Sequence, residues 1–124
     1  MAYTEGNVEG QTFPVASATA FTANKFVTLG ASGNVALPSS GGEVTGVAQQ
    51  PTVANDTRSV NVAVLNGAKL TVEAGGTIAA GAEIASNTAG EAVAASTLTN
   101  PFVVGRAVEG ASDGDVFTFS SVRS

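Results

Sequence analysis

Apolar residues along this chain return mostly at every second position, the period of a strand with one buried face and one wet face. Val60, Val62 and Val64 share one side of residues 58–65, and Leu70 and Val72 carry the alternation on past Asn66-Gly67. Phe117 and Phe119 mark the same pattern in residues 115–122, with Val116 and Thr118 on the opposite side. Ile78, Ala80, Ala82 and Ile84 place a further strand in residues 77–94, followed by a turn at 87–90 and a return strand through Val93. The alanines of that stretch would suit a helix, but Gly75, Gly76, Gly81 and Gly90 oppose one. Each costs about 1 kcal/mol relative to Ala in a helix interior.

The remaining segments read in the same way. Residues 18–37 hold two or three short strands with a turn at 30–34, and Pro38-Ser39-Ser40-Gly41-Gly42 is a loop. Residues 43–49 form a strand carrying Gly46, and residues 50–57 form a loop. Asn-Gly between alternating runs is a strong hairpin signal, so Asn66-Gly67 is expected to join residues 58–65 to the strand of Leu70 and Val72, both turn residues at positive φ. Residues 95–100 form one helical turn before Pro101; residues 102–108 are apolar enough to be buried on both faces; residues 110–114 turn the chain.

An echo runs through this pattern. Ala23 aligns with Ala80, Val27 with Ile84 and Gly33 with Gly90. After a small gap, Val44, Gly46 and Ala48 align with Val103, Gly105 and Ala107, and both series end in alternating strands. This points to an internal duplication of one small β unit. The expected fold is all-β: a small barrel or sandwich of short strands with little or no helix, punctuated by structural turns at Asn66, Gly67, Gly81, Gly90 and Gly105. One domain, residues 16–124, follows an extended N-terminal arm, residues 1–15.

The arm is polar and glycine-rich, with Tyr3 and Val8 as isolated apolar points. Phe13 is its candidate anchor, and Pro14, lacking an N–H, confines the strand of Phe13 and Val15 to a sheet edge or a strand start. Two readings are open: a free end, as many termini are, and a partner-binding arm that uses Tyr3, Val8, Phe13, Pro14 and Val15.

Composition narrows the function. Of 124 residues 22 are Ala, against 13 Leu, Ile and Phe together, so one subunit has a thin core and oligomerisation or docking would add burial. Charged residues are only 12%, against about 25% in typical soluble domains. Such a weakly charged, strand-rich surface suits a protein packed against neighbours. The net charge of −5 disfavours nucleic acid and anionic membranes, which require clustered Lys and Arg. The start MAYTEGNVEG shows neither a basic nor an apolar run, and no segment is long and apolar enough to span a bilayer as a helix. The expectation is a soluble protein made in a cytoplasm.

Candidate chemistry is sparse. With neither His nor Cys, Ser-His-Asp and Cys-His nucleophile systems and the usual zinc spacings are excluded. Gly41-Gly42 and Gly75-Gly76 lack the Lys of a phosphate-binding loop. Asp113-Gly114-Asp115 is the tightest carboxylate pair, yet it lacks the other oxygen ligands of a calcium loop and reads as a solvated turn. Asn55-Asp56-Thr57 matches a glycosylation sequon, which carries meaning only in a secreted chain. Glu73, Glu83 and Glu91 read as polar residues on outward faces. No catalytic residue, cofactor or metal is expected, and the chain is not expected to be an enzyme.

Several segments together resemble a known family. They are Val44-Thr45-Gly46-Val47-Ala48, Gly75-Gly76-Thr77-Ile78-Ala79-Ala80-Gly81, Ala89-Gly90-Glu91-Ala92-Val93, Val104-Gly105-Arg106-Ala107-Val108-Glu109-Gly110-Ala111 and Gly114-Asp115-Val116-Phe117-Thr118-Phe119. From about Phe13 onward the chain resembles the small head-decoration, or capsid cement, proteins of tailed bacteriophages. That resemblance implies a mostly β protein on the outside of the mature head, tying neighbouring capsomers of the major capsid protein together as a homotrimer. It also implies an N-terminal segment, here Met1 to Val15, that orders on the shell by adding a strand to a capsid-protein sheet. If the duplication is real, dimers also become easy to build. The rival class is a β-structured surface, fibre or adhesin module that binds a receptor or glycan. A remote third is a metal-dependent enzyme using Asp113 and Asp115.

Overall fold

Short runs of β-branched and aromatic residues, broken by glycines, form ten strands and one 3-10 turn among the described residues. The structure is a computed structural model and describes residues 9–14, 23–29, 35–48 and 59–122, with 9–14 and 59–61 described by their backbone path. β1 (Glu9–Pro14), β2 (Lys25–Leu29), β3 (Val35–Ala36), β4 (Gly46–Ala48) and β5 (Ser59–Val64) make one antiparallel sheet in the order β1-β5-β4-β2-β3. β6 (Lys69–Glu73), β7 (Glu83–Ser86), β8 (Ala92–Ala94), β9 (Gly105–Ala107) and β10 (Val116–Ser121) make the second, in the order β6-β10-β9-β7-β8. The fold is all-β and sandwich-like, with no closed barrel.

Counted from the start of each half, the two strand orders are the same, first-fifth-fourth-second-third. The registers agree as well. Val27 stands opposite Gly46 as Ile84 stands opposite Gly105. Ala48 faces Val62 as Ala107 faces Phe119, and Leu29 faces Val35 as Ser86 faces Ala92. Even single bonds repeat: Thr45 N–H donates to Val27 O at 2.8 Å, and Val104 N–H to Ile84 O at 2.8 Å. The internal duplication is therefore present in the fold, with Val27 and Ile84, Gly46 and Gly105, and Ala48 and Ala107 in equivalent places; Gly33, read as the partner of Gly90, lies outside the described residues.

The halves stack head to tail. In the second sheet Ile84, Ala92, Ala107 and Phe119 face the main core. Their counterparts Val27, Val35, Ala48 and Val62 form a separate small cluster with Leu37. The first sheet instead presents its other side to the main core, through Phe26, Val47 and Ala63. Counterparts of these three on the second sheet are Glu83, Arg106 and Ser120, all exposed. The Phe26 ring meets that of Phe119 edge-on, with centroids 5.6 Å apart and planes at 80°, the arrangement aromatic quadrupoles favour. One side of the repeat is thus apolar where a second repeat covers it and polar where no described segment does.

Four sequence expectations need correction. Asn66-Gly67 does not close a hairpin: β5 pairs with β1 and β4, and β6 pairs with β10, so these residues cross from one sheet to the other. Burial of Leu70 and Val72 beside Phe117 and Phe119 outweighs the local turn signal. Gly67 does take φ of +90°, but the left-handed non-glycine residues described are Asn24 and Asn100 and not Asn66. The strand expected through Ile78 and Ala82 is interrupted: the chain turns at Ala80-Gly81, with Gly81 at φ +84°, before β7 begins. Residues 102–108 are not buried on both faces, since only Gly105–Ala107 is strand and Arg106 and Val108 are exposed. Gly105 is therefore a strand residue and not a turn. A Cβ there would overlap the Ser120 carbonyl, as one on Gly46 would overlap that of Ala63. Residues 95–100 do supply a short turn, the 3-10 segment Ala95–Thr97. The expected turn at 30–34 lies outside the described residues.

Candidate functional site

Residues expected to form a binding arm separate into two groups. Tyr3, Val8 and Val15 lie outside the described residues. Phe13 and Pro14 lie in β1, hydrogen-bonded along β5 with Phe13 opposite Val60 and Pro14 opposite Ser59. The backbone of 9–14 is thus the edge strand of the first sheet rather than part of a detached arm. Pro14 occupies the place that Glu73 holds in the second half, where the Glu73 N–H donates to Asn24 O at 2.9 Å. Lacking an N–H, Pro14 blunts this outer edge against pairing with another strand.

The expected structural turns do not converge on one site. Gly67 sits at the seam between sheets, its N–H facing Val122 O and Ser121 Oγ, both at 3.2 Å. Asn66 accepts the Ala68 N–H through Oδ1 at 3.2 Å. Gly81 caps an open turn, while Gly90, φ +77°, is buried against β2, where a Cβ would press on Phe26 O and Leu37.

Sequence reading missed the ion cluster across the seam. Lys25 of β2 donates from Nζ to Glu73 Oε1 at 2.9 Å and to Glu91 Oε2 at 3.1 Å. Asn87 Nδ2 adds a bond to Glu91 Oε1 at 3.2 Å. Burial pulls the Lys25 pKa down, but hydrogen bonds and attraction from Glu73 and Glu91 outweigh it and leave the ammonium above its ordinary value. Burial likewise pushes the Glu91 carboxyl up, and the bonds from Lys25 and Asn87 outweigh it and hold it below the usual range. Glu73 and Glu91 are therefore half-buried structural partners, not free outward charges. Only their distance in sequence, 48 and 66 residues from Lys25, hid them.

Glu83 is outward, as expected, and meets Arg106 at 3.4 Å on the exposed side of the second sheet. Two shallow depressions mark the surface, the first of them beside this pair. One of about 530 Å³ is lined by Gly81, Glu83, Ser96, Pro101 and Arg106, and one of about 600 Å³ by Val44, Val64, Phe102 and Val122. Neither holds a nucleophile with an adjacent base. Asp115 spends a carboxylate oxygen on the Ser112 N–H at 3.0 Å, within its own turn. Among the described residues no group of three or more acidic, His or Cys side chains could hold a metal ion, and no helix is long and apolar enough to cross a membrane. What the exposed surface offers is contact area, including Val108 and Val116 on the outer side of the second sheet.

Comparison with known proteins agrees with this picture. The family model described as phage cement protein matches residues 4–123. The crystal structure of the head fibre gp8.5 N base of bacteriophage phi29 is similar in fold, with a TM-score of 0.74 and 24% identity, over 94% of this chain and 97% of that one. No curated protein sequence matches.

Proposed function

The chain belongs to the phage cement protein family, and from that premise we propose that it binds the outer surface of an assembled phage head and ties neighbouring capsomers together. Membership makes it a structural, capsid-associated phage protein. The family match over nearly the whole chain carries the proposal, and the character of the surface supports it. A domain with few charges and no reactive constellation acts by occupying area. Each copy that binds the assembled shell, and not free subunits, stabilises the shell by mass action, by about 2.7 kcal/mol per site at a hundredfold excess over Kd. Summed over many sites, that resists rupture of an expanded, filled head.

In this reading the protein is made in the host cytoplasm and joins the shell as a homo-oligomer, a trimer at three-fold positions, with the major capsid protein as partner. Residues 1–8, preceding β1, form the arm. Their backbone adds to a capsid-protein sheet, with Tyr3 and Val8 setting the register, since strand addition draws affinity from main-chain bonds.

The test is to mix purified undecorated heads with the protein, sediment them, and measure the temperature at which they release DNA. The proposal expects saturable co-sedimentation and a higher release temperature. Absence of binding at micromolar concentration overturns it. The phi29 relative is the base of a head fibre, which favours one second reading, a foot for a receptor-binding or glycan-binding appendage. Binding to host cells in place of heads would support that reading.

A further inference from the structure

We infer that the outer side of the second sheet around Val108, Val116 and Thr118 is the face by which the folded domain sits on the shell, against a capsid surface bearing Lys and Arg around an uncharged centre. This rests on the head-binding reading above. Val108 and Thr118 are cross-strand neighbours, the Val108 N–H donating to Thr118 O at 3.0 Å. Val116 lies two residues along β10 on the same side as Thr118. Large apolar residues are otherwise well covered among the described residues: besides Leu29, only Val108, 47% exposed, and Val116, 54% exposed, stand out. Two of three thus share one spot on a flat β surface.

The duplication gives an independent reason to single out this spot. At the positions equivalent to Val108, Val116 and Thr118 the first half carries Gln49, Ser59 and Asn61. Elsewhere on this side the substitution runs the other way, Phe26, Val47 and Ala63 becoming Glu83, Arg106 and Ser120. The second repeat has therefore lost apolar residues where its partner repeat is missing and gained them at a place that no described segment covers. A gain of exposed valine runs against solubility and is expected where another protein covers it.

Charge selects the occupant. Glu109 borders the patch, Asp113 and Asp115 lie in the turn that leads into Val116, and all three are exposed. Glu109 is fixed there by accepting the Thr118 N–H at 2.9 Å. Two copies meeting through this face would bring six carboxylates together in a chain whose net charge is already −5. A basic partner surface instead gains attraction, which raises the association rate and sets orientation.

The experiment measures binding to undecorated heads across a salt series. Its arms are the native chain, the double variant Val108→Asp/Val116→Asp, Asp113→Lys, and Ser96→Asp on the 3-10 turn as control. All four substituted positions are exposed, so unfolding midpoints are expected to stay close to native, and Asp113→Lys keeps the test open if the double variant unfolds. Expected results are at least a tenfold loss for the double variant, a several-fold loss with a flatter salt dependence for Asp113→Lys, and native binding for Ser96→Asp. Native binding by a folded double variant, or by Asp113→Lys, overturns the face while leaving head binding intact. Failure of the native chain to bind heads overturns the underlying reading instead. Concentration-dependent self-association abolished by the double variant makes the occupant a second copy and also overturns the proposal.

Discussion

Head-to-tail stacking makes opposite predictions for two positions that the duplication renders equivalent, Phe26 and Glu83. Phe26 is fully buried, packs edge-on to Phe119, and lies in the cluster that joins the two sheets. Its replacement by Ala deletes a whole ring from a site that β2 and β10 frame rigidly, so little collapse can offset the loss. Phe→Ala at such sites costs about 3–5 kcal/mol, of which the edge-to-face geometry accounts for roughly 0.5–1.5 kcal/mol. Glu83 is exposed and pairs with a more exposed Arg106 at 3.4 Å, an interaction worth about 0–1 kcal/mol in water. Urea unfolding of Phe26→Ala and Glu83→Ala, extrapolated linearly, separates the two cases. Phe26→Ala should lose about 3–5 kcal/mol, and Glu83→Ala should lie within about 0.5 kcal/mol of native. Similar losses at the two positions would show that the halves pack symmetrically, and the stacking would be wrong.

Three other outcomes follow from the same geometry. The depressed Glu91 pKa adds stability above its ordinary value of 4.5, lost as pH falls through the folded value; the raised Lys25 pKa adds stability below its ordinary value of 10.5, lost as pH rises through the folded value. The native midpoint should therefore drop as pH falls below 4.5. Lys25→Met should cost about 1–2 kcal/mol at pH 6 and flatten that drop, and an unchanged acid slope in the variant would contradict the role of the cluster. Gly105→Ala forces a methyl into the Ser120 carbonyl and should cost about 1–3 kcal/mol by calorimetry, with a native midpoint counting against the close strand approach. Deleting residues 1–8 leaves β1 whole and should shift the midpoint little. Deleting 1–14 removes the edge strand and should lower it by on the order of 10 °C, so equal midpoints for the two truncations would mean that β1 is not part of the domain.

Strands with clean alternation were legible, as at Phe117 and Phe119, because burial on one face writes itself directly into the sequence. So was the duplication, since Gly46 and Gly105 must both lack a Cβ to let a neighbouring strand approach. What misled was chemistry that tertiary pairing overrides. Asn66-Gly67 carries a hairpin signal, yet β6 gains more from the phenylalanines of β10 than from its sequence neighbour. Pro14 was correctly tied to an edge strand, but the strand proved to pair within the domain. The Lys25 cluster was invisible because its members meet only once the halves stack. Val108 lay within an apolar run that reads as buried, and only the neighbouring Arg106 hinted that one side of β9 faces out. The family resemblance, by contrast, rested on glycine and valine spacings that the fold uses, and it holds over the matched residues 4–123.

An electron-microscopy map of virions carrying this protein tests the central claim most directly. The account predicts density for the two-sheet domain on the outer surface of the shell, bridging adjacent capsomers, with the Val108 and Val116 side of the second sheet turned toward the major capsid protein. Density confined to a single capsomer, or no density for the chain on the shell, would contradict it.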